Sequence, residues 1–212
     1  MTAIIFDFDG TLADTEGLLL RSIEHVLGDL SEEDIQAYKY MTDKEFIEYL
    51  GISSLRAMYY YKKGKSFFEK NSEEIQLFPH IKALLKNLSH DYVIGVLSKN
   101  KKQIIKPILE REGVLDSISF IDNTSFLTSK EGKLKEFKSQ YDDVVYVGDQ
   151  VEDVESCKTS NCVCVAVTWG HHSKEFLEEV RPDKTVSSVT ALKKVLYSLC
   201  GRSSSSTSQD ST

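Results

Sequence analysis

The chain has 212 residues, 41% of them hydrophobic and 28% charged, with 26 basic against 33 acidic side chains and a net charge of −7. That length suits one domain, or one domain with an insertion, and is enough to bury a core. No basic stripe interleaved with aromatics marks a nucleic-acid partner, and no stretch approaches the roughly 20 apolar residues of a membrane span.

The N-terminus enters an apolar run at once, Ala3 to Phe6, which reads as a strand buried on both faces of a sheet. It stops at Asp7 and Asp9, followed by Gly10 and Thr11. Glycine lets the backbone turn sharply there, so both carboxylates can face one cavity at the carboxyl edge of the sheet. Acids placed so repel each other unless a cation or a proton sits between them. A surface turn is the bland alternative for such a pair.

Residues 15–27 have the apolar spacing of an amphipathic helix. No strand is read between 28 and 77. Ser31 begins one helix with acids in its first turn, and Thr42 with Glu45 has capping-box spacing before another that Gly51 ends. A third runs over 54–70, with Gly64 as a weak point. From residue 77 the pattern becomes strand–helix alternation. Strands are expected at 92–97, 117–121, 143–147 and 162–168, and helices at 81–88, 101–111 (with Pro107 a kink), 131–139, 151–159 and 186–199. Such alternation implies a parallel sheet with helices on both faces. The serine-rich end from Arg202 reads as a disordered tail.

Three of these strands end in groups able to meet at one sheet edge, where open α/β sheets bind ligands. The first ends in Asp7 and Asp9. The second ends in Ser98, Lys99 and Asn100, at a helix start whose free amides attract an anion. The fourth ends in Gly148 and Asp149, with Asp153 one helical turn on. Asp7, Asp149 and Asp153 offer the hard oxygen donors that suit Mg²⁺. Cys162 and Cys164 lie in an apolar run and read as core packing; a metal site built with Cys157 has only His171 and His172 as further ligand candidates and fits zinc patterns poorly. Cysteine usage and the absence of a basic-then-apolar leader point to a reduced, cytoplasmic protein.

With these residues in place, the chain resembles the haloacid dehalogenase superfamily, in particular its phosphoglycolate phosphatase-like members with a helical cap inserted after the first motif. Asp7-Phe8-Asp9-Gly10-Thr11 matches the first motif, Ser98 the second, and Gly148-Asp149 with Asp153 the fourth; Val167-Thr168-Trp169-Gly170 is similar to a stretch after the fifth strand in some members. The third-motif lysine is Lys130 or Lys133; Lys130 is favoured because it begins the helix after the third strand, and the usual lysine–proline pair is absent.

The resemblance implies a Rossmann-like three-layer α/β core over 1–14 and 79–200, strand order 5-4-1-2-3, and an all-helical cap over 15–78 that closes on the site. It implies a Mg²⁺-dependent phosphatase acting on a small phosphorylated metabolite, as a monomer or weak homodimer. Asp7 is then the nucleophile, Asp9 the general acid and base, and Lys130 the catalytic cation. Asp7, the Asp9 carbonyl and Asp149 hold the metal, with Asp153 in support. Amides near Gly10, together with Thr11, Ser98, Lys99 and Asn100, bind phosphate. Asp9 disfavours a dehalogenase, whose family members lack an acid there; a phosphomutase, or an idle binding protein that kept the fold, is the alternative. In the cap, residues 38–43 are the candidate specificity loop, Lys39 a candidate anion contact and Tyr59 to Tyr61 candidate stacking residues, each also readable as surface or packing. The five histidines read as structural or exposed.

Overall fold

The structure, a computed structural model, describes residues 1–125 and 128–201. Strand β1 (Thr2–Phe6) is followed by β2 (Ala13–Asp14) and then by four helices, α1 (Glu16–Leu27), α2 (Glu32–Tyr38), α3 (Asp43–Tyr49) and α4 (Ser54–Lys70). The chain returns through β3 (Gln76–Leu77), then alternates α5 (Ile81–Leu88), β4 (Val93–Ser98), α6 (Lys102–Arg111), β5 (Phe120–Asn123), α7 (Lys130–Gln140), β6 (Asp143–Gly148), α8 (Val151–Ser160), β7 (Val163–Val167), α9 (Lys174–Glu179), β8 (Lys184–Val186) and α10 (Val189–Leu199).

The main sheet is parallel, in the order β5-β4-β1-β6-β7-β8. Side chains alternate across it, as strand geometry requires. Ile4 and Phe6 pack on one face with Ile94, Val147 and Val165, under residues of α5, α6 and α10. Ala3 and Ile5 pack on the other with Tyr146 and Cys164, under Leu134 of α7, Val154 of α8 and Leu177 of α9. Helix, sheet and helix thus form three layers, with β1 central and its end flanked by β4 and β6.

The five expected strands keep the order 5-4-1-2-3, and β8 extends it by one edge strand beyond β7. That strand displaces the start of the last helix from 186 to Val189, because Val186 pairs with Val167. Three residues are too few to display a strand period. The third strand also starts later than expected, at Phe120, since Leu115–Ser117 forms a 3₁₀ turn. Gly64 does not weaken α4: it is buried, and a side chain there would press on the Ser22 carbonyl of α1 at 3.2 Å. The glycine allows the two helices to approach.

The helical segment leaves and re-enters through one ribbon. Ala13 pairs with Leu77 and Asp14 with Gln76, antiparallel, a pairing absent from the strand expectations. Capping boxes begin α2 at Ser31 with Asp34 and α3 at Thr42 with Glu45. The serine-rich stretch from Arg202 lies outside the described residues.

Candidate active site

Asp7 follows directly from β1, its amide donating to the Val147 carbonyl of β6 at 2.8 Å. This bond carries the sheet one residue past the strand and holds Asp7 rigidly at the edge. Asp149 follows β6 directly, and Asp153 lies in the first turn of α8. Asp149 and Asp153 are fully buried and Asp7 nearly so. One carboxylate oxygen from each comes within 4.8 Å of the others, which makes them, among the described residues, the group with metal-ligand spacing.

Lys130, the first residue of α7, enters this cluster from the opposite side. Its Nζ donates to Asp7 Oδ2 at 2.8 Å and to Asp153 Oδ1. Burial alone would lower its pKa, but Asp153 and Asp7 hold it well above the ordinary lysine value. Lys133, the alternative third-motif lysine, pairs instead with Asp122 and Glu136. Lys130 is the lysine at the acids.

Asp149 is gripped by groups from two loops. Thr11 Oγ1 donates to its Oδ1 at 2.8 Å and the His171 amide to its Oδ2 at 2.8 Å. Even so, burial first, and then Asp153 and Asp7, raise its pKa well above the carboxylate range. Burial also raises Asp7, with Lys130 opposing it. With every group ionised, three carboxylates face one ammonium, and the pocket carries an excess of two negative charges. Only oxygen donors are present, and a hard divalent cation fits both the donors and the charge.

Asp9 stands apart from this cluster. Its Oδ2 accepts from Ser98 Oγ at 3.1 Å, and Asn100 Nδ2 donates to both oxygens at 3.0 and 2.9 Å. Burial, followed by the neighbouring Asp7 charge, pushes its carboxyl up to about 6 against the pull of Ser98, Asn100 and Thr15. A carboxyl in that range exchanges a proton easily near neutral pH.

The remaining sequence candidates are placed as follows. The Gly10 amide donates to the Ala13 carbonyl at 2.9 Å, so the turn uses the donor expected to face phosphate. The role of Gly10 is steric: its φ is +70°, and a Cβ there would overlap the Asp149 carboxylate. Thr11 uses its hydroxyl proton on Asp149. Lys99 spans Glu152 at 2.6 Å and Asp43 at 3.6 Å. Burial works against its charge, but those two acids outweigh it and raise its pKa. Lys39 pairs with Glu16 at 3.0 Å, and Tyr59 and Tyr61 are exposed.

The sequence reading missed the loop after β7. Gly170 sits so close to the Gly10 carbonyl and Asp149 that a Cβ would overlap both, and Trp169 Nε1 donates to the Thr11 carbonyl at 3.2 Å. His171 and His172 are buried beside the acids. The only local signal was the Val167-Thr168-Trp169-Gly170 stretch. A cavity of about 510 Å³ adjoins Lys130, lined by Lys65 of α4, Lys99 and Lys101 of the loop after β4, and Thr128 and Ser129 ahead of α7.

Fold and site together define an α/β protein with three clustered carboxylates and one buried lysine at the carboxyl edge of its sheet. Residues 4–167 match the haloacid dehalogenase-like hydrolase family, and the chain belongs to it. It is 29% identical over 193 residues to the phosphoglycolate phosphatase of Synechococcus elongatus, covering 86% of this chain and 91% of that one. It is 22% identical over 204 residues to the pyrophosphatase PpaX of Oceanobacillus iheyensis, covering 88% and 92%. Among solved structures, a haloacid dehalogenase-like family hydrolase from Streptococcus pneumoniae superposes with a TM-score of 0.79 at 19% identity, covering 92% of this chain and 98% of that one.

Proposed function

We propose that this enzyme is a Mg²⁺-dependent phosphatase that hydrolyses a small phosphorylated metabolite through a phosphoryl group carried on Asp7. The observation that carries the reading is the three-acid cluster with Lys130 set against Asp7, and a separate Asp9 held by Ser98 and Asn100. The two sequence relatives just described, a phosphoglycolate phosphatase and a pyrophosphatase, agree with it.

Asp7, Asp149 and the Asp9 carbonyl oxygen would hold Mg²⁺, with Asp153 supporting them. When bound, the ion neutralises charge on the acids and on phosphate, which lowers the repulsion that separates nucleophile from substrate. Asp7 Oδ attacks phosphorus as the bond to the leaving oxygen breaks, giving an aspartyl phosphate. Asp9 donates its proton to that leaving oxygen. The same carboxylate then takes a proton from the water that attacks the aspartyl phosphate, releasing inorganic phosphate and restoring both acids. Lys130 Nζ favours the ionised form of Asp7 against its burial and holds it in position, and with the Ser98 hydroxyl it balances phosphoryl charge.

Residues 15–78 act in this reading as a cap over the site, hinged on the β2–β3 ribbon. The leaving group would occupy the cavity beside Lys130. Glu131 and Glu152 also line that cavity. Lys65, whose polar partners are neutral oxygens, nonetheless suits a leaving group with an acidic function of its own, a feature shared by glycolate and phosphate, the groups released by the two named relatives' substrates.

The test is p-nitrophenyl phosphate hydrolysis with and without Mg²⁺, followed by a panel of phosphorylated metabolites. Metal-dependent turnover lost in Asp7→Asn supports the enzyme. No turnover on any substrate favours a binding role.

A further inference from the structure

The loop after β7 touches the fourth-motif turn and the helical segment at once. On the core side, the His171 amide donates to Asp149 Oδ2 at 2.8 Å and the His172 amide approaches the Asp149 carbonyl at 3.4 Å. On the other side, the Ser173 amide donates to the Lys39 carbonyl at 3.1 Å, and the His171 ring meets the edge of Tyr38 with centroids 4.1 Å apart. Tyr38 is itself fixed by its hydroxyl on Asp43 at 2.9 Å.

The His172 ring joins the two sides directly. The Val151 amide, at the start of α8 two residues after Asp149, donates to His172 Nδ1 at 3.0 Å. An amide N–H is a donor only, so Nδ1 must be the unprotonated nitrogen. The proton of the neutral ring is then on Nε2, which lies 3.0 Å from the Met41 carbonyl and donates to it. Each nitrogen has one backbone partner, and the partners belong to different parts of the molecule. The ring is buried, so water competes poorly for either bond.

We infer that His172 is a positioning residue that latches residues 38–43 of the helical segment to the turn carrying Asp149, with Nε2 seating the segment and Nδ1 holding the turn that orients this carboxylate. The inference rests on the phosphatase reading for what the latch serves; the latch itself is a matter of two hydrogen bonds.

Two side chains separate those bonds. Asn carries an acceptor where His has Nδ1 and lacks the reach to Met41. Gln carries an amide nitrogen where His has Nε2 and lacks the Val151 acceptor. Amide hydrogen exchange is measured on the full chain for wild type, His172→Asn and His172→Gln, at a temperature below the melting point of each. In His172→Asn, the Ser173 amide, which donates into residues 38–43, exchanges about tenfold faster while the Val151 amide stays protected, the loss expected when one net hydrogen bond of ordinary strength goes. In His172→Gln the two responses exchange places. With p-nitrophenyl phosphate, His172→Asn raises KM about tenfold with little change in the Mg²⁺ needed for half-maximal rate, and His172→Gln raises the Mg²⁺ requirement while leaving KM near wild type.

Equal exchange in all three proteins overturns the latch. So does a common rise of both signals in both variants, which is what general loosening gives. If wild type turns over no phosphate ester, the phosphatase reading fails while the exchange pattern still decides the latch.

Discussion

Lys130 Nζ lies 2.8 Å from Asp7 Oδ2, and the same ammonium also donates to Asp153. An acid that follows β1 and an acid in the first turn of α8 are thus bridged by the first residue of a third element, α7. Removing the charge leaves buried carboxylates without their cation. Lys130→Met should therefore lose phosphatase activity and, in EDTA, about 3–5 kcal/mol of stability. Lys133→Ala should cost no more than about 1 kcal/mol, since Glu136 is exposed and Asp122 only half-buried. Urea denaturation of both variants with chelator, compared with turnover of p-nitrophenyl phosphate, checks the pair.

Asp9 makes a prediction that depends on the leaving group. Its carboxyl, raised to about 6 by burial and by Asp7, is the proton donor of the proposed reaction. Asp9→Asn should cost roughly 10²–10⁴-fold in kcat/KM, which reports only the step that expels the leaving group, on an alkyl phosphate, whose alkoxide needs a proton to leave. The loss should be smaller on p-nitrophenyl phosphate, since p-nitrophenolate leaves without one. Steady-state kinetics on the two esters decide it; equal losses on both would remove Asp9 from the acid role.

The reach of each interaction along the chain explains which features could be read beforehand. The capping boxes at Ser31 and Thr42 close within three residues, and both helices begin where the spacing placed them. Helix α4 runs over the expected 54–70 because its periodicity spans many turns. The apolar strands ending at Asp7 and Asp149 were visible for the same reason, and with them the acid cluster. Lys130 was favoured over Lys133 only by its place at a helix start; the distinction is a matter of geometry across 123 positions. Contacts such as His172 with Met41, 131 positions apart, leave no periodic trace. Neither does the destination of Lys99, an ion pair between Asp43 and Glu152 that forms only after the chain has folded. The two-residue ribbon and three-residue β8 were lost to shortness rather than distance.

Metal dependence should be measurable without substrate. Three buried acids against one lysine repel one another, and an ion that neutralises them stabilises the folded chain alone. At free Mg²⁺ about a hundredfold above Kd the gain is about 2.7 kcal/mol, seen as a rise in Tm that EDTA reverses. Asp149→Asn should melt no lower than wild type in EDTA, because it removes one repelling charge, and should lose most of the Mg²⁺ response. A full Mg²⁺ shift in this variant would exclude Asp149 as a ligand.

Gly170 tests how tightly the loop after β7 is held against the acids. A methyl group there would overlap the Gly10 carbonyl and the Asp149 carboxylate, neither of which is a free end that can swing away. Gly170→Ala should cost about 1–3 kcal/mol by overpacking and displace Asp149 enough to weaken Mg²⁺ activation. Gly17, in the first turn of α1 with no atom near its missing Cβ, is the control. Gly17→Ala should be neutral or stabilising by up to about 1 kcal/mol. Thermal melts and Mg²⁺ titrations of the two proteins make the comparison.

The last prediction concerns the leaving group. Lys65 of α4 lines the cavity beside Lys130, with its Nζ 3.4 Å from the Lys99 carbonyl and 3.5 Å from the Tyr61 hydroxyl. Its polar neighbours are thus neutral oxygens, whereas Lys99 and Lys101 already hold acids, Glu152 and Glu69. An acidic function on the leaving group would therefore meet Lys65 before the other two. Lys65→Ala should raise KM about tenfold for a phosphate ester bearing a carboxylate or second phosphate, the scale of one charge-assisted hydrogen bond partly exposed to water. KM for p-nitrophenyl phosphate, whose leaving group has no such function, should stay within about twofold, and kcat should hold for both. The contrast between esters is the readout: a rise common to both would mean that Lys65 shapes the segment rather than selecting the substrate, and no rise for either would leave the cavity without a part in recognition.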